Sequence, residues 1–368
     1  MVAADARLLR AFRSLPTDRV PVWFMRQAGR SLPEYRARRA SGNVLDAARS
    51  PELAAELTMQ PVRRLGVDAA ILFSDIMVPL AGLGVEVDLV PGRGPVVDPP
   101  FRGPEDLKRL RPLEPGADVP FVAETVRILA RELEVPLIGF AGGPFTVASY
   151  LVEGGPSRTY ARTKTLMRTD ESSWRKLLDA LADVSLEFLR AQVEAGASAV
   201  QVFDSWVGAL SADDYLHHVL PSSRRIFEGL SPYGIPRIHF ATNAQGELLS
   251  LMAAAGADVV GIDWRVTIAE GRRRAGPGRA VQGNLDPTTC LAPWETVAQE
   301  VRKVLAQAEG KPGHVFNLGH GVLPETDPDV LRRIVELVHE ETAAETAPYS
   351  RSGSPGEGAG GARVGGRG

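Results

Sequence analysis

The stretch ESSWRKLLDALADVSLEFLRAQVEAG at residues 171–196, followed by ASAVQVFDS at 197–205, decides the fold. Its first part sets apolar residues three and four apart, the period of a helix with one buried face. Gly196 then stops the helix. The run that follows is short, apolar and β-branched, and it closes on Phe203-Asp204-Ser205, the pattern of a strand buried on both sides with a polar end. Helix, glycine, strand and polar terminus make up the repeating unit of a parallel α/β protein. The unit recurs where Gly66-Val67-Asp68 leads to Phe73-Ser74-Asp75 and where Gly256-Ala257-Asp258 leads to Gly261-Ile262-Asp263.

Working outward, eight such apolar runs are found, at 20–25, 69–75, 135–142, 197–205, 236–241, 257–263, 279–284 and 314–321. Amphipathic stretches such as PELAAELTMQPVRRLG and WETVAQEVRKVLAQAEG separate them, so the expectation is a single α/β domain, a (β/α)8 TIM-type barrel. GLGVEVDLVPGRGPVVDPPF at 82–101 alternates with period two around a Pro/Gly turn and reads as an inserted β-hairpin. Residues 348–368 are rich in Gly, Ser and Arg with almost nothing to pack. They read as a disordered tail after a barrel domain spanning 1–347.

Composition narrows the function classes. Of 368 residues, 44% are hydrophobic and 24% charged, enough for a large core. The formal charge of -3, from 42 basic and 45 acidic side chains, gives no footprint for nucleic acid or an anionic membrane. The single cysteine, Cys290, excludes an internal disulfide and any multi-cysteine metal centre, and no stretch approaches the ~20 apolar residues of a membrane span. The expected setting is cytoplasmic.

In this fold, polar residues at the C-terminal ends of strands lie at the barrel mouth, where chemistry is placed. Ser74, Asp75, Asp204, Ser205, Asp263, Asn284 and His320 all qualify, with helix capping as the bland alternative. After the first run, Arg26-Gln27-Ala28-Gly29-Arg30 sets two guanidiniums four residues apart, with small residues between them that let backbone N–H groups approach a polyanion. His217 and His218 fall inside a helical pattern and read as ordinary helix residues.

The segment from Pro21 to Arg30, with Leu32-Pro33-Glu34-Tyr35-Arg36, resembles the N-terminal signature of the uroporphyrinogen decarboxylase family. Gly139-Phe140-Ala141-Gly142-Gly143-Pro144-Phe145-Thr146, running into Ser149–Gly155, resembles that family's second signature. Phe73-Ser74-Asp75-Ile76, Phe203-Asp204-Ser205-Trp206 and Asn317-Leu318-Gly319-His320-Gly321 agree in order and spacing, so the resemblance covers about residues 5 to 341. Ser31 departs from it, standing where an aromatic residue is usual.

The resemblance implies cofactor-free loss of the four acetate carboxyl groups of uroporphyrinogen III as CO₂, giving coproporphyrinogen III in heme biosynthesis. It implies Asp75 as the catalytic residue, stabilising a cationic intermediate. Arg26, Gln27, Ala28, Gly29, Arg30, Asp75, Tyr150, Ser205 and His320 are the implied substrate-binding set, with Arg39 as a further carboxylate contact. It also implies a homodimer with facing clefts. The residues permit the chemistry: none of the five lysines (Lys108, Lys164, Lys176, Lys303, Lys311) sits at a strand end, and no metal-ligand spacing is evident, so the substrate must supply its own electron sink. Two alternatives remain. A methyl-transferring barrel would need zinc held by His and Cys, and a non-catalytic porphyrin-binding scaffold would keep the arginines without needing Asp75.

Overall fold

The computed structural model describes residues 5–38, 43–90, 92 and 94–343. Arg39 and the whole of 348–368 lie outside the described residues. Seven of the eight apolar runs form one parallel sheet: β1 (Ala70–Ile71), β4 (Leu137–Gly142), β5 (Ala199–Phe203), β6 (Arg237–Phe240), β7 (Val259–Gly261), β8 (Ala280–Gln282) and β9 (His314–Val315), hydrogen-bonded in that order. Helices fill the connections, from Pro51–Leu65 through the 25-residue Glu171–Ala195 to Pro328–Thr342. Gly196 ends the longest of them with φ +125, and a Cβ there would lie 2.8 Å from the Ala130 methyl, so both the turn and the packing require its absence.

The sheet therefore has seven strands where the sequence suggests eight. The run at 20–25 is extended but makes only an isolated parallel bridge, Val22 to Phe316. Its backbone explains the difference. Pro21 has no N–H to give, and the Val22 N–H turns to the side chain of Asp68 at 2.8 Å instead of to a neighbouring carbonyl. On the other side the Asp68 N–H donates to the Val22 carbonyl at 2.7 Å. Residues 20–25 thus lie between β9 and β1, joined to each by a few bonds rather than a ladder.

Inside the ring of strands, the Trp23 Nε1–H donates to Gln282 Oε1 at 2.9 Å, and Gln282 Nε2 donates to Gln201 Oε1 at 3.0 Å. All three side chains are buried, so this indole–amide–amide chain of hydrogen bonds ties three separate parts of the ring across its interior. A second, two-stranded sheet pairs β2 (Val87–Val90) with β3 (Gly94–Val97) antiparallel, Val87 opposite Val97. This pair is seamed to the helix Pro144–Glu153: Val97 N–H donates to the Gly154 carbonyl and Phe101 N–H to the Leu151 carbonyl.

At the opposite end of the ring from the polar strand ends, the buried Asp68 carboxylate accepts from Arg7, from the Val22 N–H and, at 2.7 Å, from His339 Nε2. Burial alone would raise this carboxyl. The His339 hydrogen bond and charge, the Val22 N–H and the Arg7 charge outweigh it and hold the group below the usual carboxylate range. A carboxyl so depressed stabilises the fold above its unfolded pKa and loses that contribution as pH falls through the folded value. Asp68→Ala is expected to cost about 3 kcal/mol at neutral pH. Thermal melts should show a fall of roughly 5 °C or more, with the gap to the parent closing in acid; a gap independent of pH would contradict the assignment.

Candidate functional site

A cavity of about 340 Å³ opens at the C-terminal ends of β1, β4 and β5, with Arg26, Ala28, Tyr35, Asp75, Phe140 and Tyr150 among its lining residues. Phe73 and Phe203 complete an aromatic floor: the Phe140 and Phe203 rings meet edge to face at 5.4 Å, and Tyr35 tilts against Phe73 at 5.9 Å. On sequence Phe73, Phe140 and Phe203 are members of apolar runs and Tyr35 lies in the Pro33–Arg38 helix, so nothing distinguishes these rings from core.

Asp75 sits just past β1, where the Phe73 N–H is held by Thr58 Oγ1 at 2.9 Å. One carboxylate oxygen accepts from the Met77 N–H at 2.9 Å, and no side chain donates to the other among the described residues. Burial pushes the carboxyl above the ordinary Asp value. The Met77 N–H and the charge of Arg26 pull the other way without cancelling it.

Arg26 leaves the first segment with φ +60, in the left-handed region. Its position is fixed from behind, because Met25 N–H donates to Asn317 Oδ1 at 3.0 Å and the Met25 carbonyl accepts from the Val322 N–H. The side chain then crosses Gly321. A Cβ at that glycine would stand 2.4 Å from Arg26 Cδ, so the residue after His320 is small because a guanidinium stem passes over it. Arg30 is exposed and does not line the cavity.

The Gln27 side chain is buried and accepts from the Phe24 N–H while donating to the Ala69 carbonyl. It braces the first segment against β1, and the Gln27 N–H donates to the Phe24 carbonyl at 3.1 Å. Gly29 packs against the Arg26 carbonyl. Ser205, half-buried, follows β5 and accepts from Thr242 through its carbonyl; it does not line this cavity. Asn284 is buried, bonding the carbonyls of Asp263 and Val266 to hold a loop.

Tyr150 is carried by the helix Pro144–Glu153, and its ring lies 4.1 Å from that of Trp206. Asp204 sets this helix in place: wholly buried, it accepts from the Thr146 N–H at 2.9 Å and from Thr146 Oγ1 at 2.7 Å. Thr146 Oγ1 in turn accepts from the Trp206 N–H. The strand-end residue Asp204 is therefore an anchor rather than a cavity wall. Burial and the neighbouring Asp75 charge raise the Tyr150 phenol, and its hydroxyl has no hydrogen-bond partner among the described residues.

His320 lies beside Arg26. Its Nδ1 accepts from the Gly321 N–H at 2.7 Å, which leaves Nε2 as the protonated nitrogen of the neutral ring. Burial first, then the charges of Arg26 and Arg265, lower this imidazole to about 4 against the opposing Asp263. It is neutral at physiological pH and donates. Cys290 is buried on the turn Pro287–Leu291, where burial and then the Asp286 charge push its thiol up to about 12. Among the described residues, no three His, Cys, Asp or Glu side chains gather as metal ligands do. No helix of the described chain is long and apolar enough to cross a membrane.

Fold and site together define an α/β barrel-like protein whose strand ends carry a carboxylate, an aromatic floor and the Arg26 guanidinium. The chain belongs to the uroporphyrinogen decarboxylase (URO-D) family, whose model matches residues 3–341. It is 58% identical over 345 residues to the uroporphyrinogen decarboxylase of Salinispora tropica, covering 94% of this chain and 92% of the relative. With that of Streptomyces coelicolor it shares 58% over 339 residues, 92% and 95% of the two chains. Among solved structures, a methyltransferase from Methanosarcina mazei aligns with a TM-score of 0.75 over 93% of this chain and 99% of its own. At 21% identity that likeness is one of fold.

The arrangement around His320 is open to direct measurement. An NMR titration should find its ring protonating near pH 4, and Arg26→Gln, by removing one of the two cations, should move the midpoint upward. An unchanged midpoint would separate Arg26 from His320.

Proposed function

We propose that this chain is a carboxy-lyase that removes the acetate carboxyl groups of uroporphyrinogen as CO₂, giving coproporphyrinogen in porphyrin biosynthesis. Membership of the family supports the reaction, and the observation that carries its mechanism is the Asp75 carboxylate in a cavity with an aromatic floor and Arg26 on its wall. The tetrapyrrole rests on the floor, and its pyrrole N–H groups donate to Asp75.

Protonation of one pyrrole at the ring carbon next to the acetate-bearing carbon makes an iminium-like cation. The C–C bond to the carboxylate then breaks, and its electron pair flows into that cation as CO₂ leaves. The exocyclic methylene so formed takes a proton to become the methyl group, and the ring carbon gives up the proton it gained. Each decarboxylation consumes one proton net, and the ring itself is the electron sink, so no cofactor or metal takes part. A fixed carboxylate beside the ring favours the cation more than the neutral ground state, which lowers the barrier.

Arg26 and Arg30 hold carboxylate arms as ion pairs; a guanidinium, with a pKa above about 12, is a poor proton donor. Backbone groups of Gln27, Ala28 and Gly29, the hydroxyls of Tyr150 and Ser205 and the Nε2–H of His320 complete the binding set, with Arg39 as a further contact. The chain acts as one closed barrel domain over 1–347, with residues 20–25 as its eighth strand, the β2–β3 hairpin inserted and a passive tail over 348–368. It works in the cytoplasm as a homodimer with isomer III as substrate, and binds neither nucleic acid nor membrane.

Asp75→Asn keeps an acceptor for pyrrole N–H groups but no full charge. Its kcat should fall by about two orders of magnitude or more with a much smaller change in KM, while Asp75→Glu retains part of the rate. The raised Asp75 carboxyl binds its proton more tightly folded than unfolded, so the ionised form weakens the fold at neutral pH. Asp75→Asn should therefore melt no lower than the parent. Near-parental single-turnover CO₂ release from a well-folded Asp75→Asn would sink the mechanism.

Activity should also carry an acid limb set by Asp75. Because the working form is the carboxylate and its pKa is raised, kcat/KM should begin to fall at a pH above the ordinary Asp value as the solution is acidified. A limb at or below the ordinary value would contradict this.

A further inference from the structure

The loop after β7 carries Asp263, Trp264 and Arg265, a cationic feature that sequence motifs leave out. Asp263 is wholly buried, and its carboxylate accepts from the Asn243 N–H at 2.7 Å, the Arg265 N–H at 2.7 Å and Arg265 Nη1 at 2.6 Å. The Arg265 guanidinium carbon lies 3.8 Å over the Trp264 ring. An ion pair on one edge and an aromatic face beneath fix the plane of this cation before any ligand arrives. Its Nε and Nη2 have no partner among the described residues, and the side chain is 37% exposed. An arginine whose only task was to neutralise Asp263 would not need to hold a free edge out to solvent.

The direction in which that edge can act follows from its neighbours. His320 meets Trp264 edge to face at 6.5 Å, and a Cβ at Gly319 would stand 2.4 Å from the Trp264 backbone nitrogen, so the two loops touch backbone to backbone. Arg26 crosses Gly321 on the other flank of His320. Arg265, Trp264, His320 and Arg26 thus run as a continuous row along the barrel mouth, with a neutral imidazole N–H between two guanidiniums. This is donor chemistry for carboxylates.

We infer that Arg265, with the Nε2–H of His320, forms a second carboxylate subsite that holds one acid arm of the tetrapyrrole and helps set which polycarboxylate is accepted. The inference rests on the proposed reaction. That substrate bears two carboxylate arms on every pyrrole, more than Arg26 and Arg30 can pair, and a macrocycle seated over the aromatic floor by one of its pyrroles extends its remaining arms along the mouth. Arg265 binds without touching the reacting carbon, so it acts on affinity rather than on the chemical step.

The test is steady-state turnover of uroporphyrinogen by the parent, Arg265→Gln and Arg265→Lys, with melting temperatures measured alongside. Arg265→Gln should raise KM about tenfold, the loss expected for one charge-assisted carboxylate contact, and change kcat far less. Lysine keeps the charge without the fork and should fall between the two. Arg265→Gln should also flatten the dependence of KM on salt, because one screened ion pair with the substrate is gone.

Arg265→Gln strands the buried Asp263 charge. If that variant does not fold, the double variant with Asp263→Asn removes the stranded charge and should show the same rise in KM. A folded variant whose KM stays within about twofold of the parent, or whose only losses are in melting temperature and kcat, overturns the subsite. Failure of the parent itself to release CO₂ from uroporphyrinogen overturns the reaction on which the subsite rests, and is read separately.

Discussion

The Asp68 carboxylate is the point at which the ring of strands is drawn together. The segment at 20–25 has one backbone bridge to β9 and a single bond from the Asp68 amide on its other side, too few to hold its register by a ladder. Register is set instead by a side chain. Asp68 takes the Val22 N–H, while Arg7 from the first helix and His339 from the last converge on the same carboxylate. Arg26 departs from the far end of that segment. A slip of one residue at Val22 would turn Arg26 away from Gly321 and Gln27 away from the Ala69 carbonyl, so the cavity depends on an ion cluster at the other end of the ring.

At the mouth, the electrostatics run against the ordinary preferences of the groups involved. Burial favours a neutral Asp75 and a neutral His320 together; the charges of Arg26 and Arg265 reinforce the second, and Arg26 opposes the first. The outcome is a site in which the Asp75 carboxylate, facing the aromatic floor, is under-satisfied among the described residues. A cation forming on a bound ring would relieve it. The same low-dielectric walls that make the carboxylate costly in the empty cleft make its attraction to such a cation strong.

Much of this was legible in the chain. Eight apolar runs alternating with amphipathic stretches pointed to a parallel α/β barrel, and the polar residues that close five of those runs marked the strand ends. The first run misled in detail: period and composition said strand, but a proline and a side-chain competitor for the next N–H remove the ladder, and that competition is visible only once Asp68 is placed. The resemblance gives Gln27 as a ligand contact, and what the sequence does not reveal is that its side-chain amide braces two backbones. Arg265 was invisible for a compositional reason. In a chain whose cations are nearly all arginine, one more arginine after a strand carries no signal until its stacking partner and its free edge are seen.

The seam between the hairpin and the helix Pro144–Glu153 bears on how a ligand reaches the cavity. Pro95 of β3 stands on the cavity wall, and the Val97 and Phe101 amides are bonded to the end of the helix that presents Tyr150. One rim of the opening is therefore a frame of two elements sharing hydrogen bonds, and widening it means displacing both at once rather than swinging a single loop. A ligand that enters past this rim must therefore fit the opening as the two elements jointly hold it.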